Sequence, residues 1–225
     1  MEFREFGKIP RLNRGCTITE KINGTNGAIH IGTHIDDSNT MAYVDGLEIY
    51  AGSRTRWIVP GDDNHGFALW VYKNVEELIK LGPGTHYGEW WGKNINRGYG
   101  LDEKRFSLFN TARWSDPAVR PTCCHVVPVL YEGPFNTGYT TAWLEYLQIL
   151  GSRAAPDYMD PEGIVVFHHA GNNLFKATIK GDEAGKHEEA HVKKIKEPRP
   201  PKDPSKGGRR KEQVEIPFFD RRKVA

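Results

Sequence analysis

The sequence predicts an α+β fold that consists mainly of antiparallel sheet with helices at its flanks. Short segments in which apolar and polar residues alternate follow one another along the chain, with turn residues between them. An Asp-Gly pair separates two of these segments, as in a two-residue hairpin, and only two stretches have the periodicity of an amphipathic helix. The 225 residues are enough for one large core.

The first 84 residues predict two strand-rich regions and one helix. Residues 12–32 read as strand, turn and strand, and residues 43–50 form a hairpin around Asp45 and Gly46. A loop and then a helix follow over residues 62–80, and Gly-Pro-Gly at 82–84 ends the helix. The apolar face of this helix carries Phe67, Trp70, Val71, Val75, Leu78 and Ile79.

The residues that follow predict single strands over 85–92, 105–110 and 125–131. Residues 140–150 are the clearest helix, with a threonine at its start, an apolar face and Gly151 as its stop. Residues 162–167 and 174–179 predict a closing hairpin.

Charge divides the chain into two parts. We expect a folded domain over residues 1–191 and a basic, Pro-rich, flexible tail over residues 192–225. The tail has twelve Lys or Arg against five Asp or Glu, a net charge of +7, whereas the whole chain has +2. Such a tail indicates a polyanionic partner or, equally, a solvated segment that keeps the protein in solution.

Composition restricts the class of protein. No run approaches the roughly 18 apolar residues of a membrane span, and the charged N-terminal residues lack the apolar region of a secretory signal. Three cysteines, two of them adjacent, do not suggest a disulfide framework or a zinc finger. We therefore expect a soluble, intracellular protein.

Residues 19–27 are the most informative stretch. They combine Lys21 with a glutamate, two asparagines and two glycines, directly before an apolar run. A lysine at a strand end, beside glycines that let a ligand approach the backbone, is placed as a covalent nucleophile would be. Taken alone, the stretch is better explained as a polar turn with a solvated lysine.

An ordered set of motifs extends from this stretch across most of the chain. Together they resemble the covalent nucleotidyltransferases, the ligases and capping enzymes, in the form of the phage-type RNA ligase 2 group. In order, the segments that resemble motifs I, Ia, III, IIIa, IV and V are residues 20–26, 53–55, 87–90, 106–110, 162–165 and 174–180. The resemblance implies an ATP-grasp-like nucleotidyltransferase domain.

The resemblance also implies a reaction. Lys21 would attack the α-phosphorus of ATP to form a covalent lysyl-AMP, and AMP would then pass to an RNA 5′-phosphate before a 3′-OH displaces it. Mg²⁺ or Mn²⁺ would be held by Glu162 and Glu89, directly or through water, since such ions prefer oxygen ligands. We expect a phage-like RNA repair enzyme in the cytoplasm, with an oligomeric state that the sequence leaves open and a monomer favoured.

Each motif supplies an expected binding residue. Glu89 would bind the ribose and Phe109 would stack on adenine, with Phe106 as the alternative. Arg54 would contact the ribose or the RNA 5′-phosphate. The remaining expected nucleotide contacts come from Glu20, Ile22, Asn26, Lys176 and Lys180.

Some residues depart from the motifs and leave alternatives open. Asn23 stands where many ligases and capping enzymes have aspartate, Asn110 where aspartate is common, and Thr178 where a second lysine is expected, so the phosphate-binding lysine is undecided. The residues after position 180 are too few and too polar for the C-terminal domains of related ligases. The alternatives are a DNA ligase, a GTP-dependent guanylyltransferase, or an RNA-binding protein that has lost turnover.

Overall fold

Two sheets make up the framework of the protein. The computed structural model describes residues 3–35 and 37–180, so the predicted tail at 192–225 lies outside the described residues. The small sheet and the large sheet, defined below by their strands, contribute residues to one cleft. The predicted α+β class, dominated by antiparallel sheet, is confirmed.

The described part of the chain contains these elements in order. The strands are β1 (Gly15–Lys21), β2 (Thr25–Gly32), β3 (Thr40–Val44), β4 (Leu47–Gly52), β5 (Trp57–Ile58), β6 (Gly84–Gly92), β7 (Lys104–Leu108), β8 (Cys124–Val126), β9 (Val129–Pro134), β10 (Gly163–His168) and β11 (Asn173–Thr178). The helices are α1 (Phe67–Lys73), α2 (Val75–Leu78), α3 (Thr111–Trp114) and α4 (Thr137–Leu150), with 3₁₀ turns at Ile79–Leu81 and Gly98–Gly100.

The strand order explains how distant parts of the chain meet. The small sheet has the order β11-β10-β1-β9, and the large sheet has the order β3-β4-β2-β6-β7-β8, with β5 paired to β4. Of the described strand pairs, only β7 and β8 run parallel. Strands β1 and β2, which follow each other in sequence, belong to different sheets, so the residues between them cross from one sheet to the other.

Several local predictions are confirmed. The Asp45-Gly46 hairpin joins β3 and β4, and both turn residues have positive φ (51° and 79°), as a type I′ turn requires. Strands β10 and β11 form the predicted closing hairpin. Helix α4 ends at Gly151, where φ is 81°.

Four boundaries differ from the prediction. The helix expected within residues 62–80 breaks at Asn74 (φ −118°) into α1, α2 and a 3₁₀ turn. The strand expected over 125–131 is two strands in two sheets, because Pro128 cannot donate to a ladder and the chain changes sheets there. Strand β7 ends before Asn110, whose side chain caps α3. Helix α4 begins at Thr137, because Asn136 Oδ1 accepts from the Gly138 N–H.

Each sheet packs its own core. Beneath the large sheet, α1 and α2 bury Phe67, Val71 and Leu78 against the strands. The small sheet buries Ile18 and Ile164 against α4, where Leu147 is fully enclosed. Within residues 3–35 and 37–180, no helix has the length and apolar character needed to cross a membrane.

Two paired glycines let aromatic rings approach the centre of the large sheet. Gly27 on β2 lies opposite Gly88 on β6. A Cβ at Gly27 would come within 2.7 Å of the Phe67 ring, and a Cβ at Gly88 would lie 2.5 Å from the Ser107 carbonyl oxygen and 2.7 Å from the Phe106 ring. Both positions therefore require a residue without a side chain.

The Gly88→Ala variant should destabilise the protein, because its Cβ would overlap a backbone oxygen that cannot move freely. Overpacking of this kind costs about 1–3 kcal/mol, which corresponds to roughly 3–10 °C in Tm for a chain of this size. Thermal unfolding followed by circular dichroism measures the shift. Gly7→Ala is the control, since no atom lies within 4 Å of its Cβ; equal Tm values for both variants would contradict this account of the sheet.

Candidate active site

A cleft of about 1210 Å³ lies between the two sheets. The small sheet lines it with alternate residues of β1, namely Thr17, Thr19 and Lys21. The large sheet contributes side chains that include Asn26 and Glu89. The cleft therefore gathers residues from nearly all the motifs recognised in the sequence.

Lys21 is the last residue of β1 and lies opposite Gly163, the first residue of β10. This register places the lysine beside Glu162, and the Lys21 Nζ is 2.8 Å from the Glu162 Oε2. The two side chains are 23% and 19% exposed. The ion pair is thus largely shielded from bulk water, and its lysine lines the cleft.

Glu89 reaches the same place from the large sheet, where it lies opposite Asn26. Its Oε1 accepts a hydrogen bond of 2.9 Å from the Gly24 N–H. The pKa of Glu89 is raised to about 7, chiefly by burial and to a smaller extent by the negative charge of Glu162, although Lys21 and the Gly24 N–H oppose the shift. This carboxyl group is therefore partly protonated at neutral pH.

The carboxylate oxygens in the cleft suit a divalent cation that takes its other ligands from water and substrate. Glu89 and Glu162 offer carboxylate oxygens beside one lysine. No cluster of three or more His, Cys, Asp or Glu residues suited to a metal occurs within residues 3–35 and 37–180. Mg²⁺ commonly binds proteins through one or two carboxylates and takes its other ligands from water and substrate phosphates, so two carboxylates are sufficient.

Two cations line the cleft without an ion-pair partner in the described part of the chain. Arg54 follows β4 and is exposed, and Lys176 lies on β11 opposite Val165. Lys180 is placed differently: its Nζ is 2.6 Å from Asp160 Oδ1, its side chain is 68% exposed, and it is not part of the cleft wall. Of the two lysines predicted at motif V, the structure brings only Lys176 into the cleft.

Phe109 and Phe106 occupy opposite faces of the large sheet. Phe109 follows β7, lines the cleft and is 40% exposed. Phe106 is fully buried and packs against the Phe67 ring on the other face. Only Phe109 is available to a ligand in the cleft, so the alternative of Phe106 as the stacking residue is wrong.

The two neighbours of Lys21 line the cleft but have buried side chains. Successive strand residues point to opposite faces, so the Glu20 carboxylate points away from Lys21. It is 1% exposed and accepts hydrogen bonds from Ser152 Oγ (2.6 Å) and from the backbone N–H groups of Arg153 (2.7 Å) and Ala154 (2.9 Å). Ile22 is 4% exposed and packs in a third apolar cluster. Both residues anchor the lysine, and a ligand would meet mainly their backbone.

The loop between β6 and β7 contacts the segment that follows Lys21, although sequence patterns did not indicate it. The backbone N–H of Asn23 donates to the Tyr99 hydroxyl at 2.8 Å, a contact between residues 76 positions apart. The only signals in the sequence were a Gly- and Asn-rich composition and the Gly98-Tyr99-Gly100 run, which do not indicate a partner.

Comparisons with known proteins bear on the family and the fold of the chain. The family model described as RNA ligase matches residues 15–178. No curated protein sequence matches the chain.

Solved structures share the fold of this chain at low sequence identity. Two variants of Naegleria gruberi RNA ligase with ATP and Mn align at TM-scores of 0.50 and 0.51, with 18% and 17% identity over 74% and 75% of this chain. A third variant, with AMP and Mn, aligns at a TM-score of 0.50 with 19% identity over 74% of this chain. The chain spans about half the length of these proteins (49%, 51% and 50%).

The raised pKa of Glu89 predicts a pH-dependent stability. Between its ordinary value of 4.5 and about 7, the folded protein binds more protons at this group than the unfolded chain, so the free energy of unfolding falls as pH rises through this window. Glu89→Gln removes the charge and keeps an oxygen for the Gly24 N–H. We expect this variant, without metal or nucleotide, to be more stable than the wild type at pH 8 by about 1–3 kcal/mol and nearly equal at pH 5.

Thermal unfolding at the two pH values measures the difference. Glu132→Gln, which changes another carboxylate of the cleft wall, is the control and should leave the wild-type pH response in place. A Glu89→Gln variant whose Tm tracks the wild type at both pH values would contradict the burial of a carboxyl group here.

Proposed function

The chain belongs to the RNA ligase family, and we propose that it is an ATP-dependent RNA ligase that carries AMP on Lys21. One observation carries the proposal. Lys21 lies at a strand end in a cleft between two sheets, and its Nζ is 2.8 Å from the Glu162 Oε2. The Glu89 carboxyl group is close enough to interact electrostatically with both side chains. The solved relatives with ATP or AMP are Naegleria proteins, and they support a nucleotide in this cleft by analogy of fold.

The first step forms a bond between nitrogen and phosphorus. The Lys21 Nζ, in its neutral amine form, attacks the α-phosphorus of ATP, and the bond from that phosphorus to pyrophosphate breaks. Glu162 Oε2, at 2.8 Å, is placed to accept a proton from Nζ. In the later steps AMP moves to an RNA 5′-phosphate, and a 3′-OH displaces AMP to join the strands.

Charge on the transferring phosphate is offset by groups on both sides of the cleft. Arg54 and Lys176 line the cleft and are free of ion pairs with the other described residues, so they are available for phosphate oxygens. Mg²⁺ or Mn²⁺, when bound, supplies further positive charge, and Glu89 and Glu162 are the residues that would hold it. A phosphate contact from Lys180 would require its ion pair with Asp160 to open.

The nucleoside would lie along the large sheet. Phe109, 40% exposed, offers a ring face on which adenine can stack. Asn26 and Glu89 lie opposite each other on β2 and β6. We assign both residues to binding of polar groups of the nucleotide, and Glu89 to binding of the ribose hydroxyl groups. Asn23 favours the RNA ligase 2 branch, and that resemblance supports a monomer that repairs RNA in the cytoplasm.

Lys21→Ala should abolish adduct formation, because no other lysine pairs with a motif carboxylate in the described cleft. Incubation with Mg²⁺ and ATP labelled at the α-phosphate, followed by denaturing electrophoresis, measures the adduct. Lys73→Ala, at the end of α1 and away from the cleft wall, is the control and should label like the wild type. Label that survives Lys21→Ala would move the nucleophile elsewhere.

The same assay separates the alternatives. GTP in place of ATP tests for a guanylyltransferase, and sealing of DNA ends rather than RNA ends tests for a DNA ligase. A wild-type protein that binds RNA but never takes label would be a binding protein without turnover.

We further infer that the basic tail, residues 192–225, contributes to RNA binding through its charge of +7. Deletion of the residues after Val192 should weaken RNA binding. The slope of log affinity against log salt should fall by about 0.7 for each phosphate of a single strand that the shortened protein no longer neutralises. Filter binding over a salt series measures this, and adduct formation should be unchanged. Failure to form the adduct would instead make the tail part of the nucleotide site.

A further inference from the structure

The loop over residues 93–100, between β6 and β7, joins the two halves of the site. The proposed chemistry gives it no role, and none of its residues lines the cleft. Its side chains nevertheless bind two backbone segments that are far apart in sequence. One segment directly follows Lys21, and the other directly precedes Glu162.

The first contacts hold the turn over residues 22–24. The Tyr99 hydroxyl accepts from the Asn23 N–H at 2.8 Å, and Asn96 Nδ2 donates to the Gly24 carbonyl oxygen at 2.5 Å. Gly24 in turn donates to Glu89. The loop therefore holds, at Asn23 and Gly24, the connection that carries the chain from the small sheet to the large sheet.

The second contacts hold residues 160–161. Arg97 Nη1 donates to the carbonyl oxygens of Asp160 at 2.6 Å and Pro161 at 3.1 Å, and it lies 3.2 Å from Asp160 Oδ2. The Arg97 side chain is only 24% exposed. One guanidinium thus ties the segment before Glu162 to the loop.

The loop backbone is held in conformations that most side chains avoid. Tyr99 has a φ of 53°, which is unfavourable for a bulky residue, and the surrounding structure must enforce it. The ring is 2% exposed and packs on Trp91 and Tyr158, with centroids 5.0 Å and 4.5 Å away. Positive φ also occurs at Asn94, Asn96, Gly98 and Gly100. A loop so constrained makes a rigid support.

We propose that the 93–100 loop is a positioning clamp, in which Tyr99 and Arg97 hold Lys21 and Glu162 in register for attack on the nucleotide. This inference rests on the proposed function. Neither residue is a catalytic residue, since each acts through a neighbouring backbone segment. A displacement of 1 Å between reacting groups can cost about a hundredfold in rate, so a clamp at this place controls the rate of adduct formation.

Tyr99→Phe and Arg97→Ala test the clamp. Tyr99→Phe keeps the ring packing and removes only the acceptor of the Asn23 N–H. In single-turnover labelling at saturating ATP, we expect the maximal rate to fall about tenfold for Tyr99→Phe and further for Arg97→Ala. The ATP concentration that gives half the maximal rate should stay within about twofold of the wild type, since neither side chain lines the cleft.

Two controls separate positioning from simple loss of folding. Arg97→Lys keeps a cation that can donate to the same carbonyl oxygens, and it should recover part of the rate. Arg105→Ala removes an arginine of matched exposure (25%), which pairs with Glu103, and it should label at the wild-type rate. Tm is measured for every variant, and the rates are taken well below the lowest value.

The outcomes are distinct. Wild-type rates for Tyr99→Phe and Arg97→Ala would overturn the clamp, as would a fall in rate that matches the fraction unfolded. A wild-type protein that takes no label would overturn the proposed function itself, and with it the inference. A reduced maximal rate with unchanged ATP dependence and partial recovery by Arg97→Lys would support the clamp.

Discussion

Lys21 and Glu162 meet at 2.8 Å where the two sheets come together, and each side chain keeps less than a quarter of its exposure. A charged side chain that is shielded from water is stabilised by a partner of opposite charge. Removal of one partner leaves the other as an unpaired charge, which destabilises the fold. The pair forms because β1 and β10 are antiparallel neighbours in a register that sets Lys21 against Gly163. The position of the candidate nucleophile is therefore a consequence of strand pairing, and the cleft is arranged around it.

The remainder of the site follows from the alternation of side chains along strands. On β1, Lys21 faces the cleft and Glu20 faces the other side, where the loop at residues 152–154 binds its carboxylate with three donors. The Glu20 carboxylate accepts the hydrogen bonds of this loop and thereby also fixes the end of β1, where Lys21 lies. On the large sheet, the paired glycines at 27 and 88 let Phe67 and Phe106 pack closely, one position away from Asn26 and Glu89.

Much of this arrangement is predictable from local sequence, and the rest depends on contacts between distant residues. Alternation located most strands, and the hairpin turn was evident from Asp45 and Gly46. Local patterns could not show that β1 and β2 separate into different sheets, that Asn74 interrupts a helix, or that Pro128 marks a change of sheet. Glu20, Asn23 and Asp160 each bind a residue 63 or more positions away, so neither the buried role of Glu20 nor the contacts of Tyr99 and Arg97 were foreseeable.

The shift in Glu89 has a consequence for how the cleft exchanges protons with its surroundings. A carboxyl group with a pKa of about 7 carries a fraction of a proton at neutral pH. A divalent cation that binds its oxygen atoms must displace that fraction. Cation uptake by the cleft would therefore acidify a weakly buffered solution, and the heat of binding would depend on the ionisation enthalpy of the buffer chosen.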